Sequence, residues 1–169
     1  MFLEGLGDVV AKHSDLTKPP LLVDLRDPYP LRLRLYLYNC TNPPGGRSID
    51  EYKFQVILPG QKRGSRGMLD FSDGRMPVLA AYASLTGDKS GGVFVLWDPY
   101  KRSDFAYSAN MQVRAETIIK ALNSTVSISR RDNDEMVLAA RPEHLLGALR
   151  CRVQIMHNNK KVAAHESTK

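Results

Sequence analysis

The chain has 169 residues, 43% hydrophobic and 25% charged, with 24 Lys and Arg against 18 Asp and Glu for a net charge of +6. That length suits one domain with a full core, and the composition is globular, neither disordered nor membrane-embedded. Cys40 and Cys151 are too few for a disulfide framework and lack metal-ligand spacing, and the start Met1-Phe2-Leu3-Glu4 carries no basic region of a signal peptide, so a cytoplasmic protein without a membrane anchor is expected.

In chain order, Phe2, Leu3, Leu6, Val9, Val10 and His13 recur at helical spacing and predict an amphipathic helix ending near Ser14, stopped by Pro19 and Pro20. Residues 21–25 read as a short strand, and Asp27-Pro28-Tyr29-Pro30 as a turn. From Leu31 the period becomes two. Leu33, Leu35 and Leu37 face one way; Arg32, Arg34, Tyr36 and Tyr38 face the other, on a side expected to be open. That open side is either a solvated face with snorkelling stems or a surface touching phosphate.

Further strands are predicted over residues 52–58, 68–71, 78–83 and 93–97, the last an apolar run placed at the centre of the sheet. Residues 98–110 read as a loop. A helix then carries Met111, Ala115, Ile118, Ile119 and Leu122, with Ser108 or Asn110 as its cap. Residues 125–129 and 136–140 form a hairpin around Arg130 and Arg131, and a last helix opens at Pro142 with Leu145, Leu146, Leu149, Val153 and Met156 buried. One domain spans residues 1–157, and the polar residues 158–169 read as a disordered tail. The expected class is α+β: a curved, mostly antiparallel or mixed sheet, partly barrel-like, with flanking helices.

Charge concentrates in one place. Residues 31–67 hold seven cations (Arg32, Arg34, Arg47, Lys53, Lys62, Arg63, Arg66) against Asp50 and Glu51, so they carry +5 of the net +6. A local positive patch on strand ends and glycine loops points to a polyanion. Within it, Asn42-Pro43-Pro44-Gly45-Gly46 is either a tight connection or an apolar notch where a weakly hydrated atom can sit against proline rings. The loop 60–67 has three glycines, Gln61, and the cations Lys62, Arg63 and Arg66. Arginine matches guanine edges or phosphate and glutamine matches adenine, so the loop has the chemistry to read a DNA groove; its alternative is a solvated basic hairpin. Ser108, Asn110 and Gln112, beside free amides at a helix start, either hold a phosphate or only cap. Arg130 and Arg131 reach phosphate or solvent.

Catalysis has little support. The four histidines (13, 144, 157, 165) form no metal-binding pair, and neither a His-Asn-His signature nor a Gly-x-Ser-x-Gly elbow is present. Asp27 with Glu51-x-Lys53 remains a candidate for a small PD-(D/E)xK-like, metal-dependent nuclease.

Thr41 to Arg47, Asp50-Glu51-Tyr52-Lys53, Pro59-Gly60-Gln61-Lys62-Arg63-Gly64, Trp97-Asp98, Tyr107-Ser108-Ala109-Asn110-Met111-Gln112-Val113 and Arg141-Pro142-Glu143-His144 together resemble the sulfur-binding domain of phosphorothioate-dependent, McrA-type (type IV) restriction endonucleases, over residues 30–150. The resemblance implies binding of double-stranded DNA in which sulfur replaces a non-bridging phosphate oxygen. It puts the sulfur pocket on Asn42, Pro43, Pro44 and Gly46, with Tyr36 or Tyr38 as a further wall. Contacts to bases and phosphates fall on Gln61, Lys62 and Arg63, and the remaining cations (Arg32, Arg34, Arg47, Arg66) with Ser108 and Asn110 complete the expected DNA surface. No cofactor, metal or catalytic residue is expected; cleavage is expected from a separate His-Asn-His-type domain or partner. Two alternatives stay open: the nuclease, and a domain of this architecture reading unmodified or methylated bases.

Overall fold

A computed structural model describes residues 1–42, 48–88 and 91–166, with side chains up to residue 159. Seven strands form one mixed sheet: β1 (Val10–His13), β2 (Leu21–Leu25), β3 (Arg32–Asn39), β6 (Met76–Ala83), β7 (Val93–Trp97), β11 (Met136–Ala140) and β10 (Ser127–Arg130), in that spatial order. β3 and β6 run parallel, and every other neighbouring pair is antiparallel. Outside the sheet, β4 (Glu51–Val56) and β9 (Ala109–Arg114) pair as an antiparallel ribbon, and β5 (Gly67–Met68) pairs with β8 (Asp104–Phe105). The helices are α1 (Phe2–Leu6), α2 (Ala115–Leu122) and α3 (Leu145–Glu166). The class is the expected α+β, and among the described residues the sheet is open at β1 and β10, not closed into a barrel.

Alternation along each strand divides the interior into two cores. On β7, Phe94 and Leu96 point to one side with Leu33, Leu35, Val78 and Ala80, where α1 and α3 cover them. Val93, Val95 and Trp97 point to the other with Tyr36, Leu79 and Ala81, where the ribbon and α2 lie. The result is three layers: two helices, the sheet, then ribbon and helix. β7 is buried along its whole length, as its apolar run implied, although β6 holds the middle position of the seven.

Four expectations change. The first helix stops at Leu6, because Gly7 adopts φ 62 and ends it, and the β-branched Val10 opens a strand against β2 instead. His13 accordingly sits exposed on an edge strand and covers no helix end. The segment from Ala109 is a strand before it is a helix: Met111 and Val113 face the core, their neighbours face out, and α2 begins only at Ala115. Third, the face of β3 expected to be open is covered, Tyr36 by the core under the ribbon and Arg34 by the turn of residues 70–73, leaving each 5% exposed, while Leu37 on the opposite side is 39% exposed. α3 continues in helical backbone to Glu166, into the stretch read from composition as a tail.

Candidate nucleic-acid interface

The ribbon is held onto the sheet by aromatic rings. Phe54 stacks on Tyr38 (centroids 4.8 Å) and meets the buried Trp97 edge-on at 5.2 Å. Each such contact is worth about 0.5–1.5 kcal/mol beyond its buried area. Because Tyr52, Phe54 and Val56 point inward, Glu51, Lys53 and Gln55 must point outward, and by the antiparallel register they lie opposite Arg114, Gln112 and Asn110. The ribbon therefore presents a polar outer face of six side chains. Gln112 donates its Nε2–H to Glu51 Oε1 at 2.9 Å.

The loop that leaves β4 is braced from within. Gln61 accepts from the Leu58 amide at 2.9 Å and donates to the Ser65 carbonyl at 3.0 Å, and the Ser65 hydroxyl donates to the Lys62 carbonyl. Its glycines serve chain geometry, not close approach of a ligand. Gly60 and Gly64 take φ 74 and 82, and a Cβ on Gly67 would lie 2.5 Å from the Phe105 ring. Gln61 is thus a brace in this structure, while Lys62 and Arg63 project from the loop it holds.

Whether a cation has a partner inside the fold separates the basic residues more sharply than their place in the sequence. Arg34 is buried against Asp70 (2.5 Å) and Asp73 (3.3 Å), and it also donates to the Asp70 carbonyl. Arg32 donates to the Asp73 carbonyl and sits 3.9 Å from Asp24; Arg66 grips Asp104 through two nitrogens, each at 2.9 Å. Arg130 pairs with Asp134, and Arg131 donates to the Gln112 carbonyl. Among the described residues the side chains of Lys53, Lys62, Arg63, Lys101 and Arg114 form no hydrogen bond or ion pair, although Arg114 lies near enough to Glu116 to lower its pKa. Four of these five lie on the ribbon or on the loop that leaves it; Lys101 is in the turn after β7. Lys53 and Arg114 were part of a strand and of a presumed helix in the sequence reading, so neither carried a sign of this role beyond charge.

Beside Lys53 is a shallow hollow lined by Tyr38, Asn39, Thr41, Lys53, Phe54 and Gln55. Thr41 pairs with Lys53 through both backbone groups, and Asn42 donates its side-chain amide to the Ile49 carbonyl. The first pairing ties the chain before the Pro-Pro-Gly-Gly segment to β4, and the second joins it to the turn that leads into β4. Pro43, Pro44, Gly46 and Arg47 lie outside the described residues. Of the two tyrosines considered as a wall, Tyr36 is committed: it is buried, and its hydroxyl accepts the Asp70 amide. Tyr38 borders the hollow and donates to the Ile57 carbonyl; burial pushes its phenol up to about 12, so it remains a neutral donor. Cys40 is buried nearby with its thiol raised to about 12, which leaves it unreactive.

Ser108 and Asn110 do not flank a helix start. Ser108 takes φ 55 in the turn entering β9, and Asn110 lies exposed on the ribbon opposite Gln55. The carboxylate–lysine set also does not assemble. Asp27 follows β2, whereas Glu51 shares a cleft with Arg130 and Arg131 at β10. Four strands separate β2 from β10, a span on the order of 20 Å. Among the described residues no cluster of three His, Cys, Asp or Glu can hold a metal, and no helix is long and apolar enough to cross a membrane.

The model of the family described as Methylase-associated X1 matches residues 31–149. No curated protein and no solved structure matches the chain. The matched span starts one residue before β3 and ends within α3, so it holds the ribbon, the braced loop and the hollow beside Tyr38, and leaves out α1, β1 and β2.

Proposed function

Since the chain belongs to the Methylase-associated X1 family, which links it to restriction-modification, we propose that it is a cytoplasmic DNA-recognition module of a modification-dependent restriction system that binds phosphorothioate-modified duplex DNA. The observation that carries the reading is the set of uncommitted cations: the fold neutralises most of its guanidinium groups internally, yet among the described residues it leaves the side chains of Lys53, Arg114, Lys62 and Arg63 without a hydrogen bond or ion pair on one ribbon and its loop. Cations not tied up in internal ion pairs remain available for phosphates, and each one engaged releases a counterion. The hollow beside Tyr38 is lined by one of these cations, Lys53, and by Thr41, two residues before the Pro-Pro-Gly-Gly segment.

The sulfur preference rests on hydration. Thiophosphate keeps the negative charge, but sulfur is larger and less well hydrated than oxygen, so seating it against proline methylenes and the Tyr38 ring gains about 1–2 kcal/mol, the scale of burying a methylene or two. The cations supply most of the affinity, and the apolar wall supplies the difference between sulfur and oxygen. In this reading the chain alone turns over no substrate, and cleavage belongs to a nuclease domain or partner. The test is binding of a duplex carrying one thiophosphate beside its all-oxygen twin. A preference that Pro43→Ala or Pro44→Ala erases, with Arg63→Ala weakening both duplexes, supports the reading; equal affinities of the unaltered protein reject the sulfur specificity.

A further inference from the structure

The ribbon's outer face carries one pair of side chains that its own fold does not use. Glu51 and Gln112 are bonded to each other, and Lys53 and Arg114 are the cations already assigned to phosphate. Gln55 and Asn110 remain: both exposed, directly opposite in the register, and without a hydrogen bond among the described residues. We propose, resting on the DNA-binding reading above, that the β4–β9 ribbon enters the major groove and that Gln55 and Asn110 read adenine edges there.

The dimensions and the chemistry agree. Two strands about 4.8 Å apart, six residues and so about 20 Å long, make a ribbon that a major groove about 12 Å wide admits. A carboxamide offers one acceptor and one donor side by side, the complement of adenine N6–H and N7; guanine offers two acceptors at the same edge and cannot satisfy it. Opposed residues on an antiparallel pair have Cβ atoms about 4.5–5.5 Å apart, so the two amides address neighbouring base pairs. Lys53 lies two residues along β4 on the same face, and the loop bearing Lys62 and Arg63 follows β4, which sets cations beside the reading pair. The Phe54 contacts with Tyr38 and Trp97 hold the ribbon rigid, so the amides meet the groove in a fixed orientation.

The experiment is competition binding of the full chain against duplexes that keep the thiophosphate fixed and vary each flanking base pair. The unaltered protein is expected to favour adenine at one or two positions by roughly 5- to 150-fold each. Gln55→Ala and Asn110→Ala should each abolish one preference and leave the salt dependence unchanged. Lys62→Ala should lower the salt slope by about one and keep the preferences. Persistence of the preferences in the double variant Gln55→Ala/Asn110→Ala overturns the inference, as does binding of the unaltered protein without base preference, which leaves DNA binding itself intact. Failure to bind any duplex removes both.

Discussion

Arg34 and Arg63 are both arginines in the basic stretch of the sequence, and the fold gives them opposite work. Arg34 joins β3 to the Asp70–Asp73 turn from a buried position, so Arg34→Ala loses packing and charged hydrogen bonds together and should cost about 2–4 kcal/mol in chemical denaturation. Arg63→Ala should change stability by less than about 0.5 kcal/mol, yet lower the salt slope of DNA binding by about one. The period-two pattern of residues 32–38 is plain in the sequence, and it correctly separates the two faces of β3. Which face is covered is not, because the cover comes from distant segments: the ribbon of residues 51–56 and 109–114 over Tyr36, and the turn of residues 70–73 over Arg34. Four carboxylates are held below their ordinary values, Asp15 and Glu116 at the surface and Asp24 and Asp70 beside β3 arginines and their neighbours. At Asp24 partial burial works upward, but the hydrogen bonds from Arg75 and Lys12 outweigh it and hold the carboxyl below its ordinary value; at Asp70 the Ser72 hydroxyl and amide do so, with help from Arg34. With folded-state values depressed, the unfolded chain takes up protons first as pH falls. Stability should therefore be flat above about pH 5 and decline below it, and Asp24→Asn should flatten that decline in urea midpoints measured against pH.

The ribbon and its loop depend on a few contacts that composition does not reveal. Phe54→Ala removes the ring between Tyr38 and Trp97 and should cost about 3–5 kcal/mol, with DNA binding weakened through loss of ribbon position. Gln61→Ala frees the Leu58 amide and the Ser65 carbonyl and should cost only about 1 kcal/mol, because the loop is exposed and water can replace the bonds. Its effect on affinity should equal that of loosening the loop: Lys62 and Arg63 keep their charge, so the salt slope stays while binding weakens on every duplex. In the sequence Gln61 has the look of a base reader, because a glutamine between glycine and lysine carries the right groups and nothing local shows that they are already used. Residues 109–114 were ambiguous for a different reason. Met111, Ala115, Ile118 and Leu122 match a helical stripe, and Met111 and Val113 match a strand equally well. The partner β4, about 60 residues away, decides between them.

Across the fold as a unit, the helical layer is joined to the sheet by a buried charge. Arg152 of α3 is 2% exposed, donates to the Leu96 and Met136 carbonyls on β7 and β11, and lies 3.8 Å from Asp98. Desolvation pulls its pKa down, and Asp98 and Glu135 act against that. Arg152→Ala takes from the buried Asp98 its ion-pair partner, while Glu135 keeps Arg102 and Arg131, and should cost about 3–5 kcal/mol. Nothing marks Arg152 as buried in the sequence, where it sits between Cys151 and Val153 on a helix also bearing Arg150. The class of fold was legible because β3 and β4 alternate, β7 is a continuous apolar run and turn residues separate the strands. The basic surface was legible only as a region. Selecting its working members requires knowing which cations the acids of distant segments already hold, and Asp70, Asp73 and Asp104 hold Arg34 and Arg66.

The most direct measurement is a salt titration of binding to a duplex with one thiophosphate and to its oxygen twin. Both should weaken linearly on logarithmic axes, with a slope of about −3 to −5 for the four free cations and their neighbours, and the sulfur duplex should bind about 5- to 30-fold tighter at every salt concentration. Two coincident lines would contradict the account.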